Sequence, residues 1–313
     1  MQVFILATVF FFFFPAHAAA QQPLTQKNLP AMAEPAKNQA SASSSPKASA
    51  SSQGPASGTI KKAAQDELIE FTTDDEWSIK ARYYPPTKST WTIVMIHAQK
   101  KNSNEWSLWF PYLREAGIGY LALDLRGHGR SITDPLGTEK KWKRFAISGA
   151  NNEYNQMVRD VEAAIAWLGT KGISENSIVL AGSILGANLA IKTAAIHPDI
   201  AMAIAISPAL NANDVLTVNP LRMAYGKRPL LLIGGTDRER QYKELILLND
   251  LARTACGIGN VTIMLEYSGL GQEIITKYNI KKILAWLDNP KLPPVTLLEG
   301  EEGELNAEII TED

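Results

Sequence analysis

The chain has 313 residues, is 45% hydrophobic and 20% charged, and carries a formal net charge of −1. That apolar content excludes wholesale disorder, and the near-neutral charge gives no general case for nucleic-acid binding. One cysteine, Cys256, excludes an intrachain disulfide framework and a zinc site built mainly from thiolates.

Residues 1–20 read as an export signal. Val3 to Phe14 is a short apolar run, Pro15 breaks it, and Ala16-His17-Ala18 offers small residues for cleavage. Twelve apolar residues fall short of the roughly 20 that a membrane span needs. The segment Met1-Gln2 lacks the usual lysine or arginine. The expectation is a cleaved signal and a periplasmic or secreted protein; an uncleaved anchor is the alternative.

Residues 21–63 read as a linker. In 21–60, Ser, Ala, Pro and Gln fill 26 of 40 positions, a composition that cannot offset its ordering entropy by burial. Residues 291–313 form an acidic tail with one lysine and seven acidic side chains, read as a solvated end.

Between 64 and 290 strand and helix patterns alternate. Strand-like runs are Glu67–Phe71, Ser78–Tyr83, Thr92–His97, Tyr120–Asp124, Ser177–Gly182, Ala201–Ser207, Pro229–Gly234 and Val261–Tyr267. The later ones are continuously apolar, as strands buried on both faces are, so a parallel sheet is expected. The first two alternate and look like an antiparallel lead-in. Helices are expected over about Glu105–Ala116, capped by Asn104, and over Glu153–Leu168, Gly186–Ile196, Glu239–Thr254 and Glu273–Leu287. The fold class is therefore α/β, a doubly wound, mostly parallel sheet of about eight strands.

Three signatures follow in order: Thr92-Ile-Val-Met-Ile-His97; Asp124-Leu-Arg126-Gly-His128-Gly-Arg-Ser131; and Gly182-Ser-Ile-Leu-Gly186-Ala-Asn188 after a strand. Together they resemble the α/β-hydrolase superfamily, in particular dienelactone hydrolases and serine esterases and peptidases, over about residues 66–288. The resemblance implies a Gly-x-Ser-x-Gly elbow that exposes a serine nucleophile, followed in the chain by an acid and then a histidine.

Here the elbow glycines are Gly182 and Gly186, and the position between them is Ile184, with Ser183 one residue early. Asp237 stands where the family's acid stands. Leu270, in Ser268-Gly-Leu270-Gly, stands where the resemblance implies the histidine. The four histidines are His17, His97, His128 and His197, and none follows residue 197. The oxyanion donors implied are the amides of Gln99 and Leu185.

A lone aspartate cannot take a proton from a hydroxyl efficiently. The expectation is a pseudo-hydrolase that binds a small acyl or ester-like ligand or a cell-envelope protein, without nucleic acid, metal or cofactor. The alternative is an active serine hydrolase that uses a displaced Ser183. Asp237 has a second reading, as a cap for the helix that follows. Lys140, Lys141, Lys143 and Arg144 flank Trp142, and read as a solvated loop or a face for an anionic surface. Asn260-Val-Thr262 is a glycosylation sequon, and Gly257-x-Gly259 is too short to mark a dinucleotide site.

Overall fold

A computed structural model describes residues 66–290. The expected signal (1–20), linker (21–63) and acidic tail (291–313) lie outside the described residues, as do residues 64 and 65. No described helix is long and apolar enough to cross a membrane.

The strands are β1 (Glu67–Thr72), β2 (Ser78–Tyr84), β3 (Thr92–Ile96), β4 (Gly119–Asp124), β5 (Ile178–Ser183), β6 (Met202–Ile206), β7 (Asn211–Ala212), β8 (Val215–Leu216), β9 (Leu230–Gly235) and β10 (Val261–Glu266). The helices are α1 (Phe110–Ala116), α2 (Glu153–Thr170), α3 (Leu185–Ile196), α4 (Val218–Met223), α5 (Glu239–Cys256) and α6 (Lys277–Asp288). Eight strands form one sheet in the order β1-β2-β4-β3-β5-β6-β9-β10, while β7 and β8 pair as a separate hairpin. β1 and β2 run antiparallel, and every pair from β4 to β10 is parallel.

The continuous apolar runs have a direct cause. In β5, Ile178 and Leu180 enter one core while Val179 and Ala181 enter the other. Both faces of the strand are covered, so neither set of alternating positions can be polar. α2, α3 and α5 supply Met157, Val161, Leu189 and Leu248 to the first core. α1 and α6 supply Phe110, Leu113, Ile280 and Trp286 to the second.

Three expectations need correction. The helix expected from Glu105 is a 3-10 turn over Ser103–Trp106 followed by α1, with Pro111 in its first turn. Pro111 lacks the N–H that a continuous helix would need there, so the chain restarts. The cap is Asn102, whose side chain accepts from the Asn104 amide, and not Asn104. The last helix begins at Lys277, because Thr276 and Asn279 form its capping box. Between β6 and β9 the chain also builds β7, β8 and α4, where no element was expected.

Candidate functional site

β5 ends at Ser183 and α3 begins at Leu185, so the turn between them is the single residue Ile184. Ile184 holds φ +52 and ψ −106, a conformation rare for any side chain and an outlier for a β-branched one. The chain is locked there from both sides. The Ile184 amide donates to the Ile206 carbonyl at 2.8 Å, and its carbonyl accepts from Ala187 at 3.0 Å and Asn188 at 3.2 Å. A methyl group on Gly182 would overlap the Gly186 carbonyl, and one on Gly186 would overlap the Ile96 carbonyl. Only glycines let strand and helix approach this closely.

Ile184 is therefore the apex of the elbow. Ser183 is the last strand residue, paired in register with Ile206 and fully buried. Its Oγ lies 3.3 Å from Glu105 Oε1, while Glu105 Oε2 accepts from the Ala98 amide at 2.7 Å. Burial pushes the Glu105 carboxyl above its ordinary value, against the two hydrogen bonds that favour its charge.

Asp237 follows β9 and accepts from the Gly269 amide at 3.1 Å. It does not cap α5: the cap position is Arg238, with no side-chain hydrogen bond. The loop that Asp237 holds contains Leu270, which is half-buried, between Gly269 at φ +111 and Gly271 at φ +59. The Gly271 amide donates to Ser207 Oγ at 2.9 Å. A methyl group on Gly271 would sit 2.7 Å from Ser183 Oγ and 3.0 Å from Ile184 Cδ1. The fold thus brings the elbow, Asp237 and the Leu270 loop to one place.

No described histidine joins them. His97 is fully buried with both ring nitrogens engaged: Nδ1 donates to the Ala98 carbonyl at 2.7 Å and Nε2 accepts from the Leu125 amide at 3.0 Å. Burial, and then the neighbouring His128, push its pKa down to about 3. His128 donates from Nδ1 to the Arg126 carbonyl at 2.9 Å, and burial lowers its pKa to about 4. His197 ends α3, beside Glu175 at 3.3 Å, and Ile184 begins it. Twelve residues of helix separate the two by roughly 18 Å.

The amides of Gln99 and Leu185 donate to no group among the described residues. The Gln99 side chain is held aside by Tyr154 Oη at 2.6 Å. Asp124 braces the turn after β4, accepting from the Ser103 amide at 2.8 Å and from Arg130 Nε at 2.8 Å. In that turn Gly127 (φ +71) and Gly129 (φ +52) both need glycine's freedom.

Sequence reasoning missed Glu105 and Ser207. Glu105 reads as an ordinary first-turn helix residue, and only tertiary contact reveals its two hydrogen bonds. Cys256 is core, and the sequon is committed to the fold: Asn260 Nδ2 donates to the Cys256 carbonyl at 2.8 Å, and Thr262 Oγ1 accepts from Trp286 at 3.0 Å. A cavity of about 380 Å³ lies along α5, lined by Leu210, Glu239, Arg240, Lys243, Glu244 and Leu247, and includes none of the elbow residues. Among the described residues no three His, Cys, Asp or Glu side chains converge to hold a metal ion.

A family model described as serine aminopeptidase, S33, matches residues 87–236. No curated protein matches the chain. Similar solved structures include an esterase of Pyrococcus furiosus (16% identity, 72% of this chain and 91% of that one, TM-score 0.56). An acetyl xylan esterase from Paenibacillus sp. R4 is also similar (16% identity, 72% and 87%, TM-score 0.55). So is a protein from Agrobacterium tumefaciens described as a putative alpha/beta hydrolase (17% identity, 72% and 96%, TM-score 0.55). At these identities the structures speak to the fold. With its mostly parallel sheet and its elbow between β5 and α3, the chain has the α/β-hydrolase fold, and its residues 87–236 are similar to the serine aminopeptidase, S33, family.

Proposed function

We propose that this protein is an exported α/β-hydrolase-fold protein that binds an acyl or ester-like ligand, or a partner at the cell envelope, without turning over an ester. The observation that carries the reading is Ile184 at the apex of the elbow, packed beside Gly271 of the loop whose Leu270 we read as replacing the histidine. Loss of the serine or histidine from such a unit costs about a million-fold in turnover, or about 8 kcal/mol of barrier. Backbone donors survive side-chain loss, so the free amides of Gln99 and Leu185 favour retained binding of a carbonyl oxygen. Export rests on the apolar run and Ala-x-Ala site of residues 1–20. Sequencing of the mature N-terminus should find a start near Ala19 or Gln21, and Met1 intact in the soluble fraction would remove export from the reading.

The test of inertness is a fluorophosphonate probe applied to the full-length protein. No labelling above the heat-denatured background is expected.

One observation favours a second reading. Ser183 Oγ lies 3.3 Å from Glu105, a carboxylate whose burial raises its proton affinity toward that of a useful base. In that reading Glu105 accepts the Ser183 proton as Oγ attacks an acyl carbon, and returns it to the leaving alcohol. Ser183 is fully buried beside Gly271, so the loop over residues 268–271 must open first. Labelling that disappears in Ser183→Ala would select this reading.

A further inference from the structure

Trp142 lies in a short 3-10 turn after β4 and is fixed by its backbone: its amide donates to the Gly127 carbonyl at 3.0 Å. The His128 ring lies nearly parallel to the indole, at 5.9 Å between centroids. Two ammonium groups then converge on the same ring, Lys100 Nζ at 5.5 Å from its centroid and Lys143 Nζ at 5.9 Å. One lysine over an aromatic ring is an ordinary surface contact. Lys171 on Trp167 and Lys277 on Tyr278 are of that kind, each with a near neighbour in sequence, as is Lys143 on Trp142 taken alone. Among the described residues Trp142 is the one ring with two cations over it, and Lys100 comes from the turn after β3, distant in sequence.

Two features make this more than a crowded surface. Lys100 sits at φ +70, in the left-handed region that favours glycine, so its side chain is presented there at a cost in strain. Neither lysine has a carboxylate within ion-pair distance among the described residues. The adjacent Lys140 and Lys141, by contrast, are paired with Glu153 and Glu139. Both lysines are exposed and the indole they share is half-buried, so an anion reaching this face meets two cations and an aromatic surface with no competing carboxylate.

We propose that Lys100, Lys143 and Trp142 form a binding site for a small organic anion. Its carboxylate or phosphate group bridges the two ammonium groups, and its body lies on the indole. The site adjoins Gln99 but stands whether or not the elbow turns over an ester.

The test is an NMR titration of the full-length protein, following the indole N–H signal of Trp142, assigned by its loss in Trp142→Phe. The probes are benzoate, phenyl phosphate and, as the neutral control, benzamide. A saturable shift is expected with at least one of the anions, weakening with added salt, and none with benzamide. A response to benzoate alone assigns a carboxylate, and a response to phenyl phosphate alone assigns a phosphate. Lys100→Gln and Lys143→Gln should each weaken binding about tenfold, which is about 1.4 kcal/mol. The exposed Lys281→Gln should not weaken it. Equal shifts with benzamide, no saturation by either anion at about 10 mM, or unchanged affinity in both lysine variants would overturn the proposal.

Discussion

Ile184 and Gly271 are in contact across the centre of the site: a Cβ on Gly271 would fall 3.0 Å from Ile184 Cδ1. The elbow and the loop after β10, which in an active triad would carry nucleophile and base, here pack against each other through an isoleucine and a glycine.

That contact predicts a cost for any side chain at residue 271. Gly271 is at φ +59, and a methyl group would also press on Ser183 Oγ. Gly271→Ala should lose about 2 kcal/mol of unfolding free energy, from backbone strain and overpacking together. Chemical denaturation measures it, and an unchanged midpoint would show that the loop does not close on the elbow.

The strain at Ile184 gives a second expectation. Glycine at φ +52 would relieve about 1–2 kcal/mol. It would give up a half-buried side chain worth a similar amount. Ile184→Gly should therefore stay within about 1 kcal/mol of wild type. The fully buried Ile191 in α3 has no strain to release, and Ile191→Gly should cost about 3 kcal/mol or more. Equal losses at the two positions would contradict the strained apex.

The eight sheet strands were legible because both faces of the central strands are buried, which leaves unbroken runs such as Leu230 to Ile233. The elbow was legible because Gly182 and Gly186 have no substitute at that packing distance. The stretch between β6 and β9 was not: β7 and β8 have two residues each, too few for any period to register. Pro111 signals the break before α1, yet the helical spacing around it masks that signal. Glu105 was invisible as a site residue, because its partners Ala98 and Ser183 arrive from the loop after β3 and from the end of β5.

The buried histidines predict acid sensitivity with a definite sign. His128 has its pKa lowered from 6.5 to about 4 by burial. Below pH 6.5 the unfolded chain takes up a proton that the folded protein refuses, so this contribution is present above 6.5 and lost as pH falls toward 4. In His128→Gln that loss should vanish, while the glutamine can still donate to the Arg126 carbonyl. The stability difference between wild type and variant should shift against wild type by roughly 3 kcal/mol across the window. A difference independent of pH would mean that His128 is not shielded from water.

Restoring the missing groups should be non-additive. Ile184→Ser alone supplies a nucleophile without a base, and Leu270→His alone supplies a base without a nucleophile. Together they should give measurable esterase activity that falls again on Asp237→Asn. Activity in the double variant no greater than in the better single one would place residue 270 out of reach of the elbow.

The wild-type protein tests the central claim most directly, in a p-nitrophenyl acetate assay on purified full-length material with Ser183→Ala and Ile184→Ala alongside. Release of nitrophenol at the buffer rate in all three is the expected result. Clear wild-type turnover that is abolished by Ser183→Ala and untouched by Ile184→Ala would contradict it, and would make Ser183 with Glu105 the working pair.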